Sequence, residues 1–305
     1  MAESEKTRVG YVAVVGRPNV GKSTLVNTLL EQKIAAVSAK PQTTRRRQLG
    51  ILTSKEAQII FVDTPGLHVP QHKLGDFMNQ EAIEGLRDAD LILWLIDASS
   101  GLTAEDRLIA ERLNALKKRA PVLIALSKCD LVDGALLDER KKAALDLFPA
   151  MDMVEISAIN KSGLDVLMQK ILHVLPFGEL FYDEDTVTDY YERDIAAELI
   201  REAVLTHVRD EVPHCIAVQV DGYEERGEEA AYIKATIFVE RDSQKGIIIG
   251  QKGEMIKRIG SQARKEIELM SGRKVFLDLQ ARVNKNWRNS PDALRLLGYA
   301  GRKDD

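Results

Sequence analysis

The chain has 305 residues, too many for one typical domain and comfortable for two; 45% are hydrophobic and 30% charged, which suits a soluble globular protein. The formal net charge of −4 excludes a chain drawn to nucleic acid by its global electrostatics, so a basic face has to be local. Cys129 and Cys215 stand far apart, form no disulfide or metal pattern, and fit a reducing, cytoplasmic setting. Met1–Arg8 has no apolar signal core, and the longest apolar run, Leu91–Ala98, includes Asp97 and is too short to span a bilayer.

Val9–Val15 reads as a strand and Thr24–Leu30 as a helix. Between them lies Gly16-Arg17-Pro18-Asn19-Val20-Gly21-Lys22-Ser23, a match to G-x-x-x-x-G-K-[ST]. A strand before the loop and a helix after it turn this match into a phosphate site. The glycines let the backbone curl so that N–H groups point at the phosphates, and the helix N-terminus adds partial positive charge. Lys22 reaches the terminal phosphates, and Ser23 holds Mg²⁺ through its hydroxyl.

Next comes Lys40-Pro41-Gln42-Thr43-Thr44-Arg45-Arg46-Arg47, which reads as an exposed, basic loop. It is either a solvated connector or a switch loop, Gln42–Arg46, that brings a threonine hydroxyl to Mg²⁺ when the third phosphate is present. Thr43 and Thr44 both qualify, with Thr44 preferred. Gln48–Thr53 and Gln58–Val62 read as strands joined by a polar turn. The second ends in Asp63-Thr64-Pro65-Gly66. A strand-end aspartate sits where open α/β sheets bind ligands. Asp63 can hold Mg²⁺ through water, and Gly66 leaves room for a backbone N–H near the third phosphate.

Leu91–Ile96 and Val122–Leu126 read as buried parallel strands, with a helix over Thr103–Lys118 between them. The repeated strand-then-helix order predicts an α/β domain, its mostly parallel sheet covered by helices on both faces. After the second of these strands stands Ser127-Lys128-Cys129-Asp130. The Asp130 carboxylate can accept from the guanine ring N–H and amino group, a donor pattern adenine lacks. The Lys128 stem can cover the base face. The plainer reading makes Asp130 a helix cap. Met153–Ile156 is a last strand, followed by Ser157-Ala158-Ile159, where the Ala158 N–H can meet the guanine carbonyl. Leu164–Leu175 closes the domain as an amphipathic helix.

Gly16–Ser23, Thr43–Thr44, Asp63–Gly66, Ser127–Asp130 and Ser157–Ile159, in that order and spacing, resemble a small Ras-like P-loop GTPase domain. The forms G-R-P-N-V-G-K-S, Q-T-T-R and D-T-P-G-L-H are similar to the Era family of bacterial GTPases. The resemblance implies GTP and GDP as ligands, with nucleotide contacts along Gly16–Thr24 and Asp63–Leu67 and in the two guanine loops. It implies Mg²⁺ held by Ser23, Thr44 and, through water, Asp63, and catalytic roles for Lys22, Asn19 and Thr44. Ser127 stands where most such GTPases have an asparagine that touches the base and ties the base loop to the phosphate loop. The shorter serine implies weakened nucleotide affinity with guanine preference kept. Leu67 stands where many GTPases place a water-orienting glutamine, which implies slow intrinsic hydrolysis. In related enzymes with asparagine in the phosphate loop a K⁺ ion supplies transition-state charge, a role the resemblance gives to Asn19.

Phe177–Asp189 breaks the apolar periodicity. The expected division is therefore residues 1–176, a linker over 177–189, and residues 190–305. The run Asp183-Glu184-Asp185 reads as solvated linker, with an electrostatic latch for a basic face as the alternative. Glu192–Arg209 resumes helical spacing. Cys215–Val220 and Tyr232–Val239 read as strands around a charged turn, Glu224–Glu229. Then come Gly246–Gly253, a long helix over Glu254–Met270 and a strand over Lys274–Leu279. Helix, two strands, short helix, G-x-x-G, long helix, strand is the order of an α+β type II KH domain, a clamp for about four nucleotides of single-stranded RNA. Gly250 and Gly253 would admit the RNA backbone, Lys252 would neutralise a phosphate, and the isoleucines before the loop would line the base groove. Lys245, Gly246, Ile249, Gln251, Lys257 and Arg258 complete the expected RNA contacts. Arg241–Val275 carries nine lysine and arginine residues against four acidic ones, so positive charge is concentrated where RNA would lie. The tail predicts one more helix near Ser290-Pro291. Trp287 either stacks on a base or, preferably, anchors the tail.

Both halves thus resemble the Era family. By that resemblance the chain binds 16S rRNA near its 3′ end, assists assembly of the 30S ribosomal subunit, and acts as a monomer in the cytoplasm. Peripheral association with the cytoplasmic face of the inner membrane is implied, and no DNA partner is expected. The expected mechanism is a nucleotide-gated RNA clamp. Two alternatives stay open: an RNA-binding module with a nearly inactive GTPase half, and a GTPase of another RNA-linked or membrane-linked process.

Overall fold

Continuous apolar runs become the inner strands of a six-stranded sheet of order β2-β3-β1-β4-β5-β6. The strands are β1 (Arg8–Val15), β2 (Gln48–Thr53), β3 (Ala57–Asp63), β4 (Leu91–Asp97), β5 (Val122–Ser127) and β6 (Asp152–Glu155). The computed structural model describes residues 7–38, 40, 43–67, 70–116, 119–209 and 211–299. Every neighbouring pair is parallel except β2 and β3, which are antiparallel. β3 and β4 are buried at every residue, as expected of strands covered on both faces. Around them lie α1 (Lys22–Leu30), α2 (Lys73–Arg87), α3 (Ala104–Ala115), α4 (Gly134–Leu147) and α5 (Leu164–Val174).

Ala13, Val15, Trp94, Ile96 and Ile124 share one core with Ile109 and Leu113 of α3 and with Phe148, which follows α4. Trp94 and Phe148 meet edge to face, their ring centroids 5.5 Å apart. The predicted helix start at Thr103 is its N-cap: Thr103 and Asp106 form a reciprocal capping box. The predicted end at Lys118 lies outside the described residues. Helices α2 and α4 have no counterpart among the sequence expectations.

The chain divides into two units, Met1–Gln32 with Thr44–Val69 and Met78–Asp189, and Lys33–Thr43 with Pro70–Phe77 and Tyr190–Asp305. Phe177–Asp189 is bonded along the first unit's sheet. The Ile51 N–H donates to Val187 O at 2.7 Å and the Leu49 N–H to Asp189 Oδ1 at 3.1 Å. The buried Gln58 carboxamide donates to Tyr182 O at 2.8 Å and accepts from the N–H groups of Phe181 and Tyr182. Phe177–Phe181 and the acidic run Asp183–Asp185 stay exposed, while Tyr182 and residues 186–189 are half-buried.

The second unit has a three-stranded sheet of order β7-β8-β9, from β7 (Ala217–Arg226), β8 (Ala230–Val239) and β9 (Lys274–Val283). β7 and β8 are antiparallel, with a register shift between Val220 and Gly222; β8 and β9 are parallel. The charged turn expected over Glu224–Glu229 is shorter than that, narrowing to residues 227–229. β7 runs on through Arg226, because backbone pairing with β8 continues beyond the buried part of the sheet, where side chains on both faces meet water. Cys215, expected to open that strand, lies in a 3₁₀ turn, Val212–Cys215. The helices are α6 (Glu192–His207), α7 (Asp242–Ile249), α8 (Glu254–Ser271) and α9 (Pro291–Leu296). Leu199 and Val204 of α6, Ile233 and Ile237 of β8, and Ile259 and Ile267 of α8 share its core. Trp287 is fully buried and its Nε1–H donates to Cys215 O at 2.8 Å, so it anchors the tail.

Candidate functional site

The phosphate loop joins β1 to α1, with Thr24 in the first turn of the helix. The Lys22 ammonium is buried and donates to Gly16 O and Arg17 O, each at 3.0 Å. Burial pushes its pKa down to about 8, against the pull of Asp63. Ser23 Oγ lies 2.6 Å from Asp63 Oδ2 and 2.9 Å from Thr44 Oγ1, and Thr44 Oγ1 lies 3.3 Å from the same carboxylate oxygen. Burial pushes the Asp63 carboxyl up in turn. Its Oδ1 is buried without a hydrogen-bond partner. Three converging hydroxyl and carboxylate oxygens, one side of the carboxylate unused, are a hard-oxygen set that fits Mg²⁺.

Thr43 turns away from this cluster, its hydroxyl donating to Lys40 O at 2.8 Å. Arg46 is half-buried and Gln42 lies outside the described residues. Arg45 departs from the expected exposed loop: it is 2% exposed. A long aliphatic stem lets a basic residue be buried where composition alone reads as solvated. Beyond Asp63, the Thr64 hydroxyl donates to Val14 O at 2.8 Å and fixes the end of β3 to β1. Pro65 leads to Gly66, where a Cβ would come 2.9 Å from the Pro18 nitrogen, so only glycine lets the two loops approach. The Leu67 side chain is buried in the apolar core with Ala13 and Trp94, because an aliphatic group gains more there than at a polar site, which leaves its backbone for the expected contact.

In the expected guanine loop, Ser127 Oγ donates to Val20 O at 2.7 Å, with Ile96 O at 3.3 Å. The short serine thus ties its loop to the phosphate loop through Val20 O. Lys128 Nζ donates to Asn19 O at 2.8 Å and to Asp97 Oδ2 at 2.7 Å. The Cys129 N–H donates to Ile156 O at 3.2 Å, and its thiol turns back to Leu126 O. Asp130 is exposed in the turn Cys129–Leu131 and caps no helix; α4 is capped by Asp133, which accepts from the Leu136 N–H at 2.8 Å. Ser157 is buried and exchanges backbone hydrogen bonds with Ser162, which fixes the turn through Ala158 and the exposed Ile159.

Sequence reasoning missed Asp97 and Asp106. Arg17, expected at the nucleotide, places its guanidinium 3.6 Å from Asp97 Oδ2 and 3.4 Å from Asp106 Oδ2, and donates to Ser100 Oγ. These partners lie far from the loop in sequence, and the one available signal was the position of Asp97 at a strand's C-terminal end. Burial would raise the Asp97 carboxyl, but hydrogen bonds from Lys128 and Ser99 outweigh it and hold the group below the ordinary carboxylate range.

In the second unit, Gly250–Gly253 separates α7 from α8. Gly250 has φ 72° and Lys252, between the glycines, φ 51°. A Cβ on Gly250 would come 2.8 Å from Met255 N, so the loop accepts no side chain there. Gly246, Gln251, Lys252, Lys257 and Arg258 are exposed, and Lys245, Ile249 and Gly253 are half-buried, so the expected RNA contacts share one accessible stretch. Ile248 departs from the groove-lining expectation: it is buried in the core, as helical spacing turns it opposite to its two neighbours.

A family profile described as "50S ribosome-binding GTPase" matches residues 11–128, and a KH-domain profile matches residues 211–288. The GTPase Era of Ruminiclostridium cellulolyticum is 45% identical over 97% of this chain and 98% of its own length. That of Thermoanaerobacter sp. is 44% identical over 96% and 97%. Among solved structures, Era in complex with MgGDPNP and nucleotides 1506–1542 of 16S ribosomal RNA is 40% identical, covers 97% of this chain and 100% of its own, and gives a TM-score of 0.92. A point variant of Aquifex aeolicus Era bound to GDP·AlF₄⁻ has the same identity and coverage, with a TM-score of 0.91. With a GTPase profile followed by a KH profile, and 44–45% identity to two such relatives over 96–98% of each chain, the chain belongs to the Era family of GTPases.

Proposed function

We propose that the chain binds GTP and GDP with Mg²⁺, hydrolyses GTP slowly, and holds 16S rRNA near its 3′ end through its KH domain during assembly of the 30S subunit. The observation that carries the nucleotide half is the convergence of Ser23, Thr44 and Asp63 beside the buried Lys22 ammonium. The RNA half rests on the exposed basic G-x-x-G region and on the likeness to a relative captured with that RNA.

Ser23, Thr44 and, through water, Asp63 would hold the metal, which neutralises charge on the terminal phosphate oxygens. Lys22 exchanges its two carbonyl partners for phosphate oxygens. Asp130 accepts from the guanine ring N–H and amino group, while Ser127 holds the base loop on Val20. The core-facing Leu67 side chain offers no hydrogen bond to an attacking water, so hydrolysis is slow without help. Asn19 would assist a K⁺ ion in supplying transition-state charge; an unchanged rate when K⁺ is replaced by Na⁺ removes that role.

Nucleotide state sets RNA affinity through the loop that carries Thr44, and the coupling is reciprocal. The chain passes from one unit to the other between Thr43 and Thr44. The proposed setting is the cytoplasm, with peripheral contact at the inner membrane; among the described residues no helix is long and apolar enough to cross a membrane. The proposed form is a monomer.

The test is binding of a 3′-terminal 16S RNA oligonucleotide with a GTP analogue and with GDP, beside GTP hydrolysis with and without that RNA. Tighter RNA binding in one nucleotide state supports the clamp, and equal affinity overturns it. Preference for ATP over GTP overturns the role of Asp130. The burial of Leu67 also favours a second reading, an RNA-binding module with a nearly inactive GTPase half. Single-turnover hydrolysis that RNA does not accelerate would select it.

A further inference from the structure

Asp97 ends β4 between the two loops assigned to the nucleotide. It is 4% exposed, and both of its oxygens are engaged. Oδ1 accepts from the Ser99 N–H at 2.9 Å and the Ser99 hydroxyl at 2.6 Å. Oδ2 accepts from Lys128 Nζ at 2.7 Å, with Arg17 of the phosphate loop 3.6 Å away. The same Lys128 ammonium donates to Asn19 O at 2.8 Å. One cation is therefore held between a strand-end carboxylate and a phosphate-loop carbonyl. Lys128 and Asn19 both have left-handed backbone, φ 58° and 65°. Non-glycine residues keep that conformation where the surroundings determine it.

A lysine stem that closed over a base from free solution would lose rotamer freedom at the moment of binding. Fixing the ammonium beforehand removes that loss from the binding step. The line of the stem is set by its two ends, the left-handed backbone of the guanine loop and the carboxylate of β4. With its oxygens taken up by Ser99, Lys128 and Arg17, Asp97 acts through Lys128.

We propose that Asp97 is a positioning residue of the nucleotide site, which holds Lys128 across the phosphate loop as a preformed platform for the base and so sets how long a nucleotide stays bound. The inference rests on the GTPase reading and adds to it a residue outside the five motifs. A contact made before the ligand arrives and lost only with difficulty afterwards shows itself mainly in dissociation.

The experiment is stopped-flow release and uptake of mant-GDP by the full chain in four forms: unmodified, Asp97→Asn, Lys128→Met, and both together. Asparagine keeps the acceptor for Ser99 and drops the charge that holds the lysine. Asp97→Asn should release nucleotide about tenfold faster, as expected for loss of a charge-assisted hydrogen bond, with uptake changed by less than about twofold. Added to Lys128→Met, it should change nothing further, because the residue through which it acts is already gone. Ser99→Ala, which frees the other carboxylate oxygen, should accelerate release about threefold and gives the answer if Asp97→Asn does not fold. Unchanged release in Asp97→Asn and Ser99→Ala, or multiplying effects in the double variant, overturns the proposal. An unmodified chain that takes up no mant-GDP overturns the GTPase reading instead.

Discussion

Removing one hydroxyl, with Ser127→Ala, tests how the base loop is held. Ser127 is 4% exposed, and its Oγ donates to Val20 O at 2.7 Å with Ile96 O a longer 3.3 Å away. Alanine keeps the backbone and deletes the donor, leaving the phosphate-loop carbonyl without its side-chain partner at a site closed to water. A buried acceptor stripped of its partner costs about 1–3 kcal/mol. The short contact and low exposure place this case near the middle, about 2 kcal/mol. In a domain of this size each kcal/mol moves the melting temperature by about 2–4 °C, so the first unit's transition should fall by about 4–8 °C. Because Val20 belongs to the phosphate loop, the stabilisation gained on adding GDP and Mg²⁺ should shrink as well. Scanning calorimetry with and without nucleotide measures both. Ser127→Thr keeps the hydroxyl and serves as the control. A Ser127→Ala transition within about 1 °C of the unmodified chain, with an equal gain from GDP, would refute the reasoning.

The acid limb of stability offers a second check, on Asp97. Its folded pKa is depressed, so its contribution is complete above the unfolded value near 4 and is lost as pH falls through the lower folded value. Asp97→Asn should therefore lose less stability than the unmodified chain on acidification below about pH 4, and parallel acid limbs in chemical denaturation would count against the pairing. Gly250→Ala puts a Cβ 2.6 Å from that of Met255 in a left-handed position, and should lower RNA affinity at least tenfold while leaving GDP affinity unchanged, read by filter binding and mant-GDP titration. Trp287→Phe removes the Nε1–H that donates to Cys215 O and should destabilise the second unit by about 1–3 kcal/mol; denaturant unfolding followed through that unit measures it.

What could be read in advance was whatever short-range chemistry dictates. The phosphate loop, Ser127–Asp130 and Gly250–Gly253 are defined by residue types a few positions apart, and their flanking strands and helices follow from local apolar period. Helix α2 carries a regular apolar stripe, Leu74, Met78, Ala82 and Leu86, but its two glycines, Gly75 and Gly85, are poor helix formers; α4 has Ala144 as its one fully buried residue and shows almost no apolar stripe. That the Thr44 hydroxyl reaches Ser23 while that of Thr43 bonds to Lys40 O is a matter of loop path that spacing does not encode. Arg17, Asp97 and Asp106 come from three separate stretches and meet only after the sheet has formed. Their ion pairs belong to tertiary structure, and the strand-end position of Asp97 is the one trace of them in the sequence.

The stretch that runs beside β2 has a practical corollary. An open sheet ends in a row of unused amide and carbonyl groups, a template on which another molecule can dock and aggregate. Here Val187 and Asp189 occupy part of that row. A fragment cut at residue 176 would strip this covering and present a bare sticky margin, whereas one cut after residue 189 would carry its own selvage.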